Sequence, residues 1–446
     1  MIGYEPDLLP PRQAPGRVVY VNARLINPAS GLDACGGLLT DGEVIADLGP
    51  AITTDTAPAD AAIIDCNGLC LAPGLVDIRV QLREPGEEYK ETLLTAGRAA
   101  AAGGVTSMIC LPNTQPVIDD MSVLEFVARR ARKVGLAKVY GYAAITKQLE
   151  GKELAEIGLL SEAGAVAFTD GIKPLTNARV MSRALSYAAT FGLMIVQHAQ
   201  EPELLGGGVM NSGETAARLG LSGMSPVAEV IMVERDIRLA ELTGGRLHFA
   251  HLSTSEALNA VRRAKARGLN ITCDTAPPYF ALNEAAVGEY RTFAKLDPPL
   301  RSEDDRQAVV TAISDGTVDA IASDHAPQDQ DAKRLPFAQA AFGGCGLESL
   351  LPVTLELYQH GTLSLIDALR LLTSAPADLM GLKAGRLAKD RPADLILFDP
   401  ERGWKFEADA MLSKSKNSPF DGRLVQGRVL RTVIDGRTVF QRSQKP

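Results

Sequence analysis

Hydrophobic and polar positions follow two different rhythms along this chain. Between Arg17 and about Cys70 the runs VVYVNARLI, GLLTDGEVIADLG and AAIIDCNGLCLAP are strand-length, broken by turn signals and without a helical period. Asp41-Gly42 reads as a hairpin turn. From about Gly385 the same rhythm returns in DLILFDP and GRLVQGRVLRTVIDGRTVF, with Asp435-Gly436 as a second hairpin signal. Neither flank has enough strands to close a core alone. The two chain ends, residues 1–70 and 385–446, are therefore expected to build one small β-sandwich.

Residues 71–384 behave differently. Apolar runs at 75–82, 105–112, 138–145, 165–170, 193–199, 246–253, 270–277 and 319–327 recur at intervals of roughly 25 to 50 residues. Helical stretches such as SVLEFVARRARKVG and VAEVIMVERDIRLAELTGG fill the spaces between them. Eight strands with helical spacers predict an α/β fold, a (β/α)8 TIM barrel, over an open doubly wound sheet. No Gly-rich dinucleotide or P-loop fingerprint follows any of these strands.

Composition narrows the class of partner. A hydrophobic fraction of 46% and a charged fraction of 22% are ordinary for a globular chain of 446 residues. The net charge of −8, without a basic block, argues against nucleic acid or an anionic membrane as partner. No apolar run reaches the roughly 18 residues of a membrane span, and the opening MIGYEPDLLPPRQAPGR lacks a signal-peptide core. The Pro-rich residues 1–16 read as a loose leader, or one ordered on contact. Six scattered cysteines without a metal-type pairing are expected to be buried thiols in a reducing cytoplasm.

The candidate chemistry gathers at the ends of the predicted barrel strands. In the first, Asp77, Arg79, Gln81 and Arg83 alternate with Val76, Ile78, Val80 and Leu82, so the polar side chains share one face. An edge strand does this for solubility, whereas a barrel strand points such residues into the mouth. His198, His251 and His325 fall at the ends of strands five, six and eight, with Asp170 and Asp324 ending strands four and eight. Imidazole with carboxylate is a donor set suited to Zn²⁺. His248 and His360 read as structural or surface residues.

At these strings the chain resembles the dihydroorotases of the longer bacterial type, within the amidohydrolase superfamily. The resemblance runs through GLVDIRVQLREPGEEYKETLLTAGRAAAAGGVTSMICLPNTQPV, GAVAFTDGIKP, HAQEPELL, HFAHLSTSEAL, KLDPPLR, IASDHAP, FGGCGLE and SKSKNSPFDG. It implies a metal-dependent barrel of the amidohydrolase type and the reversible cyclisation of N-carbamoyl-L-aspartate to L-dihydroorotate in pyrimidine synthesis. By position it implies Asp170 as a bridging carboxylate, His198 and His251 as ligands of the β-metal, and Asp324 as α-metal ligand and general base. Arg83 and Asn113 match the positions that hold the substrate carboxylate. The competing reading of Arg83 is an ion pair with Glu84 or Glu87.

The sequence departs from the family where the more buried metal is bound. Arg79-Val80-Gln81 stands in place of His-x-His; Arg stays protonated and Gln is a poor neutral ligand. Tyr279, Asp297 and Gln328 replace other family residues. At most one zinc per chain is expected, in the β-site, and none if Arg79 fills the vacated position and pairs with Asp170 or Asp324. Two readings follow. The favoured one is a dihydroorotase homologue with a degenerate metal site and a structural role, a homo-oligomer with aspartate transcarbamoylase as its suggested partner. The alternative is an active mono-zinc dihydroorotase or related cyclic amidohydrolase with a small-molecule substrate, shifted in specificity if Tyr279 and Gln328 line its site.

Overall fold

The computed structural model describes residues 15–443. All but the last two residues of the Pro-rich leader lie outside that range.

One eight-stranded sheet carries both chain flanks. The N-terminal strands Val18–Asn27, Leu32–Asp41, Val44–Gly49, Ala62–Asp65 and Cys70–Pro73 join the C-terminal strands Leu395–Lys405, Leu424–Ile434 and Arg437–Gln441. The junction is antiparallel, with Leu71 opposite Leu397. Both hairpin signals form turns: Asp41 pairs with Val44, and Ile434 with Arg437. Asp435 (φ 47°) and Gly436 (φ 71°) both take the left-handed conformation that a two-residue hairpin requires.

The chain leaves this sheet at Pro73-Gly74 and enters the barrel. Gly74 is required there, because a Cβ would meet the Thr106 side chain at 2.1 Å. The barrel strands are Leu75–Val80, Val105–Cys110, Lys138–Gly141, Met194–His198, Arg246–Ala250, Ile271–Thr275 and Ala320–Ile321. The run expected as strand four, 165–170, is shorter than its apolar pattern suggests. It contributes single parallel bridges from Phe168 to Ala143 and to Ile195, since its backbone turns away into the Asp170 loop. A parallel bridge from Val80 to His325, with Gln81 N–H donating to His325 O at 2.9 Å, closes the cylinder.

Helices form where the sequence places their punctuation. In Leu93–Gly103, Thr92 and Thr95 make a reciprocal capping box and Gly104 ends the helix at φ 83°. Met121–Val134, Val227–Thr243 and Ser255–Ala266 bury one face each against the strands. Five of the six cysteines are buried, Cys35 is exposed, and none is in a disulfide. Among the described residues no helix is long and apolar enough to cross a membrane.

Candidate functional site

The barrel mouth is built around a cation. Arg79, on the inward face of the first strand, is 2% exposed, and its Nε donates to Asp324 Oδ1 at 2.9 Å. Its Nη2 lies 3.4 Å from the Gly171 carbonyl. The other Asp324 oxygen accepts from His251 Nδ1 at 3.0 Å, and His251 Nε2 lies 2.7 Å from His198 Nδ1. Four side chains from strands one, eight, six and five thus form a single hydrogen-bonded chain. A carboxylate only accepts, so His251 Nδ1 carries a proton, and one further proton lies between the two rings.

Electrostatics follow from this geometry. Burial works to raise the Asp324 carboxyl, but His251 and the Arg79 guanidinium outweigh it and hold the group well below the usual carboxylate range. Burial, with His251 and Arg79 as neighbours, drives His198 well below the ordinary imidazole value and keeps it neutral. The backbone is strained at the same place. Arg83 (φ 61°), His251 (φ 41°) and Asp324 (φ 49°) are non-glycine residues in the left-handed region, where strain collects at functional sites.

Asp170 is engaged elsewhere. Its Oδ1 accepts the Ile145 and Thr146 N–H groups at 3.0 and 2.9 Å, and its Oδ2 accepts the Thr146 hydroxyl at 2.6 Å. All three donors belong to the end of strand three, so the carboxylate clamps that loop. Of the two pairings considered for Arg79, the structure contains the one with Asp324.

Most of the remaining positions are internally satisfied too, although Asp297 Oδ1 and His325 Nε2 are buried without a hydrogen-bond partner. Gln81 Oε1 accepts from Asn113 Nδ2 at 3.1 Å. Arg83 donates to Glu87 Oε2 at 2.8 Å and to the Pro327 carbonyl at 3.2 Å, so the Glu87 ion pair is the one formed. The Tyr279 hydroxyl donates to Pro298 O at 3.0 Å, with its ring edge towards His251. Gln328 Nε2 donates to Phe342 O at 2.8 Å. Asp297 Oδ2 stands 4.0 Å from His198 Nε2. His325 turns away from the mouth: its Nδ1 accepts the Gly346 N–H, and its Nε2 lies 3.5 Å from Glu91.

Asp274, Lys90 and Glu91 escaped the reading of the sequence, whereas His248 is structural as expected. His248 is fully buried between Thr272 and Asp274, and Asp274 also accepts the His251 N–H at 2.7 Å, fixing that strand end. Asp274 occupies a strand end as Asp170 does, which was the available signal. Glu87 and Lys90 pair at i,i+3 within the polar turn after strand one. Glu91 binds Ser413 and Lys414, tying the SKSKNSPFDG segment to the barrel; nothing local in either string announces that contact.

Zinc needs lone pairs converging on one point from deprotonated donors. Here His198 Nδ1 and His251 Nε2 share one proton between them, the Asp324 oxygens face Arg79 and His251, and both Asp170 oxygens face donors of the strand-three loop. Among the described residues no three His, Cys, Asp or Glu side chains are grouped around a common point. The donor set present does not fit the metal centre that the resemblance implies.

The fold has known counterparts. The L-hydantoinase (dihydropyrimidinase) from Arthrobacter aurescens superposes with a TM-score of 0.84 at 24% identity, covering 95% of this chain and 96% of that one. The model of the amidohydrolase family matches residues 230–440, and a closed barrel with an attached β-sheet makes this an amidohydrolase fold. The model for dihydro-orotase-like proteins matches residues 68–257. The dihydroorotase of Anaplasma phagocytophilum is 47% identical over 427 residues, 95% of each chain. That of Syntrophotalea carbinolica is 46% identical over 427 residues, 96% of this chain and all of its own. The chain belongs to the dihydroorotase family.

Proposed function

We propose that this chain is a dihydroorotase-family protein of pyrimidine biosynthesis whose barrel mouth binds small molecules without hydrolysing them and whose main role is structural. The observation that carries the reading is the 2.9 Å contact between Arg79 Nε and Asp324 Oδ1. A guanidinium that cannot lose its proton stands beside the carboxylate that would serve as base. The base is thereby weakened, because its carboxyl is held far below the pH at which it would accept a proton. Arg83, which would meet the substrate carboxylate, is already paired with Glu87. The role then lies in assembly, as a homo-oligomer in the cytoplasm with aspartate transcarbamoylase as the partner to test first.

One observation favours a second reading, a one-zinc cyclic amidohydrolase: His198 and His251, which the resemblance assigns to one metal, lie side by side at the mouth, 2.7 Å apart. The deciding experiment is elemental analysis of protein purified without chelator, with dihydroorotate hydrolysis measured on the same sample. The structural reading expects no zinc and no turnover, even after zinc loading. About one zinc per chain with chelator-sensitive turnover overturns it.

A further inference from the structure

A second cavity lies where the shared sheet packs against the barrel helices Leu93–Gly103 and Leu350–Gln359, and it has no lining residue in common with the mouth. Three arginines gather there from neighbouring strands. Arg402 and Arg428 belong to the paired strands Leu395–Lys405 and Leu424–Ile434, and Arg442 directly follows Arg437–Gln441, the next strand along. The register is irregular between Asp399 and Gly403, which sets Arg402 in a bulge facing the Gln426–Arg428 stretch. On the other side the Arg442 N–H donates to Leu430 O at 2.8 Å.

None of the three forms an ion pair among the described residues. The Arg428 guanidinium lies 4.3 Å from the centre of the Trp404 ring, which is itself fixed by Nε1–H donating to Gly427 O at 3.0 Å. Stacking uses the face of a guanidinium and leaves its N–H edge to bond. That edge finds no protein acceptor, and its Nε is buried without a partner. Arg442 spends Nε on the Val429 carbonyl at 3.1 Å and keeps its two terminal nitrogens. Burial, with Arg442 and Arg402 as neighbours, lowers the Arg428 guanidinium to about 10.

The acids nearby are directed elsewhere. Glu348, on the cavity wall, turns Oε1 to the Leu412 and Ser413 N–H groups at 2.6 and 3.3 Å, and burial raises its carboxyl to about 7 against the pull of Lys416 and Arg442. Glu407 is exposed and lies 3.9 Å from Lys405. Asp399 and Glu401, beside Arg402 in sequence, act on the Cys70 thiol. The cavity, about 60 Å³, therefore holds guanidinium donors without acceptors, and it has room for a tetrahedral oxyanion but not for a ring. Four oxygens in a tetrahedron can meet guanidiniums that arrive from different strands, whereas a carboxylate offers two in one plane.

We propose that this cavity is a phosphate-binding site, with the phosphate group held between the Arg428 and Arg442 guanidiniums and Arg402 adding to the positive potential around it. The site is independent of the barrel mouth and of whether that mouth hydrolyses anything.

Trp404 is the only tryptophan of the chain, so its fluorescence reports on this cavity. The test titrates the full chain with inorganic phosphate, with glycerol 3-phosphate and with potassium chloride at matched ionic strength, and repeats each titration by calorimetry. A saturable change with half-saturation at or below about 1 mM is expected for phosphate and none for chloride. Binding of glycerol 3-phosphate as well identifies a phosphomonoester as ligand, and binding of phosphate alone identifies the free ion. Arg428→Lys keeps the charge but loses the planar fork, and it is expected to weaken binding about tenfold or more, as is Arg442→Gln. Glu348→Gln retains an oxygen for the two N–H groups and removes the opposing charge, so it should tighten binding about threefold. Arg442→Gln carries the test if Arg428→Lys does not fold. No saturable signal up to about 10 mM phosphate overturns the proposal, as do equal effects of phosphate and chloride or an unchanged affinity in the arginine variants.

Discussion

Arg79 and Asp324 are 245 positions apart in sequence, and the seam between barrel strands one and eight brings Nε and Oδ1 to 2.9 Å. The pair occupies the centre of the mouth, where the family resemblance places a metal. A fixed organic cation there satisfies the partly buried carboxylate directly, and the strand ends are held by that contact.

Removing the cation alone is expected to be costly. Arg79→Met leaves the partly buried Asp324 with only His251 as partner, and a loss of about 2 kcal/mol in urea unfolding at pH 7 is expected. Asp324→Leu in the same background should recover most of it, since an apolar pair leaves no orphaned charge. A double-mutant cycle with no coupling between the two positions would show that the contact does not hold the mouth together.

Acid should weaken the same contact. The folded Asp324 carboxyl is held below its unfolded value, so its stabilisation is complete above about pH 4 and is lost as the pH falls further. Asp77 works in the opposite sense. It is fully buried, its Oδ2 has no partner, and desolvation pushes its carboxyl up to about 6. Raised above the unfolded value, it costs stability progressively as the pH rises from about 4 to 6, by about 2 to 3 kcal/mol. Asp77→Asn retains the oxygen that accepts the Arg79 and Ser323 N–H groups and removes the titration. Unfolding free energies at pH 4 and pH 7 should differ by that much less in the variant, and an unchanged difference would contradict the assignment.

Asp170 should behave as a clamp. Asp170→Ala is expected to cost about 2 to 3 kcal/mol by orphaning buried donors. Hydrogen exchange should quicken at the Ile145 and Thr146 amides, whose partner is lost. Exchange that stays slow at those two amides would place the clamp elsewhere.

Metal binding should be restorable in part. Arg79→His together with Gln81→His removes the resident cation and supplies two imidazoles beside Asp324, and zinc per chain should rise in elemental analysis. Turnover of dihydroorotate need not follow, because Tyr279, Asp297 and Gln328 remain as they are. A double variant with unchanged metal content would mean that the Asp170 clamp, and not Arg79 alone, keeps zinc out.

The two rhythms of apolar residues foretold the barrel and the sheet shared by both chain ends, because period and turn chemistry are local properties that tertiary packing only assembles. Asp435-Gly436 shows this directly, since both residues take the left-handed conformation the turn needs, and at the first hairpin Gly42 alone supplies it. The run at 165–170 shows the limit, since an apolar string does not say where its backbone will bend. Family strings likewise marked Arg79, Asp170, His198, His251 and Asp324 as residues of one mouth. Which of them touch was settled only by closure of the barrel. Arg79 had two carboxylates within its expected reach, and the three donors of the strand-three loop take Asp170, leaving Asp324 for the guanidinium. Pairing of buried charges is a contest among groups far apart in sequence, decided by distances of a few tenths of an ångström that no local pattern encodes.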